Sequence, residues 1–135
     1  QQSDFVSLHL PLSAGTHHYI GDAELKLMKS SAILINSARG QIVDQAALLD
    51  ALKNERISGA GLDVTDPEPI RSNHPLLALP QVTVLPHIGS ATLKTRAKMA
   101  ERAALNLIHA LNGRPMISCV NPESVGQGRS ASLFK

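Results

Sequence analysis

The stretch Ala32-Ile33-Leu34-Ile35-Asn36-Ser37-Ala38-Arg39-Gly40 is a run of four aliphatic residues that breaks into a polar turn. A short apolar run of this kind reads as a strand buried on both faces, which is how parallel sheets are built. Two further runs share the form, Gly59-Ala60-Gly61-Leu62-Asp63-Val64 and Val82-Thr83-Val84-Leu85. Upstream, Phe5 to Leu10 alternates and stops at Pro11, which has no N–H to give to a ladder.

Helical patterns fill the gaps. Asp22 reads as the N-cap of a short helix over Ala23 to Met28, with Leu25 and Met28 on one side. Asp44 reads as the cap of Gln45 to Asn54, where Leu48, Leu49 and Leu52 form an inward stripe. Pro67, Pro69 and Pro75 mark an irregular loop. Ala91 to Asn112 is the longest helix, with Leu93, Ala97, Ala100, Ala104, Leu107 and Leu111 at steps of four and three, Ser90 to cap its start and Gly113 its end. Strands alternating with helices predict an α/β fold with a doubly wound, Rossmann-like parallel sheet. Residues 123–135, rich in Ser, Gly and charge, read as a flexible tail.

Composition narrows the function. A chain of 135 residues, 43% hydrophobic and 18% charged, is ordinary for one globular domain, and a net charge of +2 leaves no nucleic-acid footprint. Phe5, Tyr19 and Phe134 are the only aromatics, too few for base stacking. Cys119 stands alone, which excludes an internal disulfide and a cysteine-cluster metal site and favours a reducing, cytoplasmic setting; with no base or cation beside it, it reads as structural. No apolar stretch approaches the roughly 20 residues of a membrane helix. The histidines outside the strand ends lack metal-ligand spacing, so no metal is expected. The chain begins without Met close to an apolar run, the pattern of a piece cut from a longer protein.

Three polar residues lie just past predicted strand ends, at the edge where open α/β sheets bind ligands. Arg39 offers a fork of donors suited to a carboxylate, with Gly40 behind it to let the backbone turn sharply. Glu68 is held on a stiff loop between two prolines, and His87 follows Pro86 beside the start of the long helix. Each alone reads better as a surface or packing residue; together they suit the reduction of an oxo acid. Asp63 closes its strand either as a ligand-facing acceptor or as a turn cap. Gly59-Ala60-Gly61 lacks a third glycine and lies within a strand, so it is no phosphate cradle.

Asn36-Ser37-Ala38-Arg39-Gly40, Gly61-Leu62-Asp63-Val64, Pro67-Glu68-Pro69, Asn73-His74-Pro75-Leu76 and Pro86-His87-Ile88-Gly89-Ser90-Ala91-Thr92 resemble, in order and spacing, the D-isomer-specific 2-hydroxyacid dehydrogenases from about Ser3 to Pro115. Within that family, Asp63 to Pro69 and Gly113-Arg114-Pro115-Met116 look most like the animal glyoxylate reductase/hydroxypyruvate reductase group. The resemblance implies an NAD(P)H-dependent oxidoreductase that reduces a small 2-oxo acid. Arg39 would bind the carboxylate and polarise the carbonyl, His87 would protonate the oxygen, and Glu68 would orient and charge His87. It places Pro11, Ser37, Ala38, Asp63 and Gly89 around the nicotinamide half of the cofactor, and Ser90 with Arg39 and His87 at the substrate. It also implies a homodimer at full length. Residues 1–113 would be the C-terminal half of the dinucleotide-binding domain, 114–122 a return toward a substrate domain. The phosphate-binding turn and the NAD-or-NADP selector would precede Gln1. These residues alone are then expected to be inactive and poorly stable, with an unpaired strand edge. Two rival readings are a non-catalytic corepressor-like interaction protein on the same fold and a truncated regulatory isoform.

Overall fold

In the computed structural model, which describes residues 1–124, the chain divides into two units, Gln1–Gly89 and Ser90–Lys135. The first holds four parallel strands, β1 (Phe5–Leu8), β2 (Ile33–Asn36), β3 (Gly59–Leu62) and β4 (Val82–Val84), ordered as in the sequence. Helix α1 (Asp22–Leu27) links β1 to β2 and α2 (Gln45–Lys53) links β2 to β3; a 3-10 turn, Pro75–Ala78, precedes β4. The expected parallel sheet is present; β1, β3 and β4 are one to two residues shorter than their apolar runs, and β2 keeps its length one residue further on. β1 stops at Leu8, three residues before Pro11, whose carbonyl accepts the Thr16 hydroxyl at 2.7 Å.

Register decides which side chains share a face. Val6, Leu34, Ala60 and Val82 lie in one row, and Leu8, Asn36, Leu62 and Val84 in another. Rows two residues apart point the same way, and this face meets Leu25 of α1 and Leu48, Ala51 and Leu52 of α2 in the core. The opposite face carries Phe5, Ser7, Ile33, Ile35, Gly61 and Thr83, and neither helix of the first unit covers it: Phe5 is exposed and Ile33 and Ile35 are half-buried. The unit is thus wound on one side.

Asp44 caps α2 as expected, its carboxylate accepting from the N–H groups of Ala46 and Ala47 at 3.0 and 3.1 Å. The buried stripe of α2 is Leu48, Ala51 and Leu52, with Leu49 only half-buried against the core. Asp22 is not a cap. Gly21 takes that place, its N–H donating to the Glu24 carboxylate at 3.0 Å. Asp22 instead accepts from Lys26 at 2.6 Å and Arg56 at 2.8 Å, and Lys26 first, then Arg56, hold its carboxyl below the usual range. Asp22, ahead of Asp50, holds the Arg56 guanidinium above its ordinary value.

The second unit is built on α3 (Leu93–Leu111), which is capped by Thr92 and not by Ser90: the Thr92 hydroxyl accepts the Thr95 N–H at 3.1 Å. Gly113 follows its end at φ +65°, the left-handed conformation a glycine tolerates best. None of the residues of α3 is buried, so the apolar stripe at Leu93, Leu107 and Leu111 is uncovered. The returning segment is attached by polar bonds, Asn106 exchanging two with the Ser118 backbone at 3.0 Å each and His109 Nδ1 donating to the Pro115 carbonyl at 2.9 Å. Cys119 is half-buried and free. Of the tail expected over 123–135, Glu123 and Ser124 belong to a 3-10 turn, Pro122–Ser124, and the rest lies outside the described residues. Among the described residues no helix is long and apolar enough to cross a membrane.

Candidate active site

Because Leu8, Asn36, Leu62 and Val84 are level, the carboxyl ends of all four strands form one rim. Pro11, Arg39, Thr65 and His87 each stand three residues past a member of that row, and Asp63 one past Leu62.

The Arg39 loop is shaped by Asn36, a buried polar residue at the end of β2. Its side-chain carbonyl accepts the Ala38 N–H at 3.1 Å and its amide donates to the Arg39 carbonyl at 2.9 Å, so one side chain closes the turn Ser37-Ala38-Arg39. The Arg39 guanidinium is exposed and donates to the Ala38 carbonyl at 2.7 Å. It forms no ion pair among the described residues, which leaves most of its donor fork to meet an incoming carboxylate.

Gly40 is needed for a different reason than the sharp turn expected of it. A Cβ there would fall 2.0 Å from the Thr65 carbonyl oxygen and 2.8 Å from the Asp66 nitrogen. Backbone lies against backbone, and only a residue without a side chain fits. On its other side the same loop pairs with 18–20: the His18 and Ile20 N–H groups donate to the Gln41 and Ile42 carbonyls at 2.8 and 3.1 Å, and Asp44 N–H returns to Ile20 at 2.9 Å.

Glu68 and His87 meet directly, His87 Nδ1 lying 2.6 Å from Glu68 Oε1. A carboxylate only accepts, so Nδ1 carries the proton, and no hydrogen-bond partner of Nε2 is found among the described residues. The two side chains are about half exposed at the edge of a cleft of roughly 470 Å³, whose remaining walls are largely apolar, including Ile70, Leu77, Leu85 and Pro86.

What fixes the His87 backbone is Asp63. Three consecutive amides donate to this one residue: His87 N–H to the Asp63 carbonyl at 2.9 Å, Ile88 N–H to Oδ1 at 2.8 Å and Gly89 N–H to Oδ2 at 2.7 Å. Asp63 is only 8% exposed, so these bonds are poorly replaced by water. They hold His87 at φ +54°, a left-handed conformation costing about 1–2 kcal/mol for a residue with a Cβ. Gly89 packs tightly beside it, since a Cβ would come within 2.9 Å of Asp63 Oδ2 and push that carboxylate aside. Of the two sequence readings of Asp63, the turn-capping one is realised in this geometry, and each oxygen keeps a lone pair for a ligand.

The structure thus brings Glu68 and His87 into contact, with Asp63 and Gly89 directly beneath them, and sets Arg39, Ser37, Ala38 and Pro11 on the same rim. Ser90 falls in the second unit. Asn36 and Gln45 shape these loops without having been read as site residues. Asn36 carried one usable signal, a buried polar residue at the last position of an apolar run. Among the described residues no cluster of His, Cys, Asp or Glu is placed to hold a metal ion.

A family model described as D-isomer specific 2-hydroxyacid dehydrogenase, NAD binding domain, matches residues 1–89. The chain is 56% identical over 123 residues to a glyoxylate/hydroxypyruvate reductase B of Klebsiella pneumoniae, a match covering 91% of this chain and 38% of the relative. The TT0316 protein of Thermus thermophilus superposes with a TM-score of 0.85 at 50% identity, over 88% of this chain and 38% of that one. An NADPH-dependent glyoxylate/hydroxypyruvate reductase of Sinorhizobium meliloti, solved with NADP and malonate, superposes with a TM-score of 0.81 at 35% identity, over 88% and 37%. The chain therefore spans little more than a third of the length of these relatives.

Proposed function

The chain belongs to the D-isomer-specific 2-hydroxyacid dehydrogenase family, and from that premise we propose that it is the nicotinamide-facing part of an NAD(P)H-dependent reductase of glyoxylate, hydroxypyruvate or a similarly small 2-oxo acid. The observation that carries this reading is the 2.6 Å contact between Glu68 and His87 on a rim that also bears Arg39, which has no ion-pair partner among the described residues. Arg39 grips the substrate carboxylate through two parallel N–H donors and polarises the adjoining carbonyl. His87, protonated at both nitrogens, gives its Nε2 proton to the carbonyl oxygen as negative charge develops there. Glu68 holds the ring by Nδ1 and stabilises the imidazolium before that transfer.

The cofactor, when bound, supplies the hydride that reaches the carbonyl carbon. The residues present fit a flat nicotinamide ring: Ser37, Ala38 and Gly89 are small, and Asp63 retains lone pairs beside them. Pro11, Ser37, Ala38, Asp63 and Gly89 would hold this half of the cofactor, and Ser90 would stand by the substrate. The relatives' names do not choose between NAD and NADP for this chain, and the site takes a small acid rather than nucleic acid or membrane. We further propose a cytoplasmic setting, on the single cysteine of these 135 residues, and a homodimer at full length, on the family.

The test is steady-state reduction of glyoxylate and hydroxypyruvate by the full-length protein, following oxidation of NADPH and NADH separately. Turnover is expected with both acids, and Arg39→Lys is expected to raise KM for each by about tenfold or more as the bidentate grip is lost. Full-length protein that oxidises neither cofactor with either acid would refute the reading.

A further inference from the structure

Arg39 and Glu68 stand on loops that leave different strands, and neither loop alone fixes its spacing from the other. Gln45, the first residue of α2, spans them. Its Oε1 accepts the Asp66 N–H at 3.0 Å and its Nε2 donates to the Asp66 carbonyl at 2.7 Å. The side-chain amide therefore satisfies both backbone groups of one residue, as a neighbouring strand would. Its orientation follows from chemistry, because the flipped amide would set two donors face to face.

Two more contacts bind the same segments. Gln41 Nε2 donates to Asp66 Oδ1 at 3.3 Å, and Gly40 lies against the Thr65 carbonyl so closely that no Cβ fits. Within the second loop, the Thr65 hydroxyl donates to the Pro67 carbonyl at 3.0 Å. Residues 40–45 thus grip Thr65 and Asp66 at three places, two residues short of Glu68.

The geometry points to Gln45 as a positioning residue that sets the Glu68 loop in register with the Arg39 loop and so keeps the Glu68 carboxylate on His87 Nδ1. Its consequence for turnover rests on the reductase reading above; its structural part does not. A glutamine whose two amide atoms engage one backbone residue has little rotational freedom left, and displacement of Glu68 by an ångström would release the imidazole.

The discriminating experiment compares native protein with Gln45→Met, which keeps the side chain's length and removes both bonds to Asp66 together with the 3.3 Å contact of Gln45 Nε2 with His74 Nε2. In the full-length protein, proton NMR of the His87 Nδ1–H, hydrogen exchange of the Asp66 amide, kcat and KM are read. The imidazole resonance is expected to shift upfield or broaden, Asp66 protection to fall at least about tenfold, and kcat to fall by about ten- to hundredfold. A resonance and kcat unchanged from native, even with a lower melting temperature, would overturn the proposal by reducing Gln45 to a stability residue. Should Gln45→Met not fold, Gln45→Glu keeps the acceptor for Asp66 N–H and loses the donor: a displaced His87 resonance supports the role and an unmoved one overturns it. Absence of turnover in the native full-length protein would sink the reductase reading, while the His87 resonance still decides on Gln45.

Discussion

Replacing Asp63 by Asn changes one oxygen to an NH2 group and little else, yet it strikes the residue on which the His87 backbone depends. The two carboxylate oxygens take the N–H groups of Ile88 and Gly89 at 2.8 and 2.7 Å. Hydrogen bonds to a charged acceptor contribute about 1.5–3 kcal/mol each, and neutral ones about 1. An Asn keeps one acceptor, now neutral, and sets its NH2 against the other N–H, a donor facing a donor at a site only 8% exposed. The loss is then about 2–4 kcal/mol, one bond weakened and one broken. At 1.4 kcal/mol per factor of ten, the amides of Ile88 and Gly89 should lose roughly 30- to 700-fold in exchange protection. Amide hydrogen exchange of the full-length protein measures that directly, with Asp44→Asn at the α2 cap as a control expected to leave both amides unaffected. Protection altered less than about threefold at Ile88 and Gly89 would refute the argument that Asp63 holds the histidine loop.

Three further outcomes are expected. Gly40→Ala places a Cβ 2.0 Å from the Thr65 carbonyl oxygen, so the two loops must separate, at a cost of about 1–3 kcal/mol or more in urea unfolding; a neutral variant would mean that the backbones do not touch. In the full-length protein, His87→Ala should lower kcat by roughly 10²–10⁴-fold, the scale of a lost general acid, and an unchanged kcat would remove His87 from proton transfer. Asp22 is held below the usual carboxylate range by Lys26 and then Arg56, so its folded pKa is depressed. The stability it contributes is present above the unfolded value, about pH 4, and is lost as pH falls through the lower folded value. Unfolding curves of native protein and Asp22→Asn should therefore differ at neutral pH and converge on acidification, with salt shrinking the difference because the group is exposed; a difference that grows toward low pH would contradict the assignment.

What could be read from sequence were positions that announce themselves locally. Arg39, Glu68 and His87 follow apolar runs or sit between prolines, and Asp44 precedes a helical stripe, so the strands, their order and one cap came out as expected, with three strand ends one or two residues early. Asp63 was legible as a strand-end acid with two open uses. Gln45, by contrast, looked like any polar first residue of a helix, because its partner Asp66 lies 21 residues away and no local pattern marks the pair. Gly40 was read as a turn glycine for the same reason: the carbonyl that excludes its Cβ belongs to another loop. Cap assignments failed where two candidates stood close together, since Gly21 with Glu24 replaces Asp22 and Thr92 replaces Ser90. The stripe on α3 was correctly periodic, but periodicity says only that a face exists, not that the described residues cover it.

The site owes its existence to register more than to any one residue. Leu8, Asn36, Leu62 and Val84 are aligned, so the loops that carry Pro11, Arg39, Thr65 and His87 all leave the sheet from one level. A slip of one residue in β4 would turn Val84 off the core face and carry His87 about 3.3 Å along the strand direction. That distance exceeds the 2.6 Å contact with Glu68, so the pairing that sets Leu62 and Val84 on the core face is the same pairing that assembles the acid. The bonds from Asp63 and Gln45 then remove the smaller freedoms that strand pairing leaves in the loops, Asp63 on the side of the histidine and Gln45 on the side of its carboxylate. Loosening either should therefore part Glu68 from His87 while the core beneath stays intact, and that separation of effects distinguishes a site held by its loops from one held by its sheet alone.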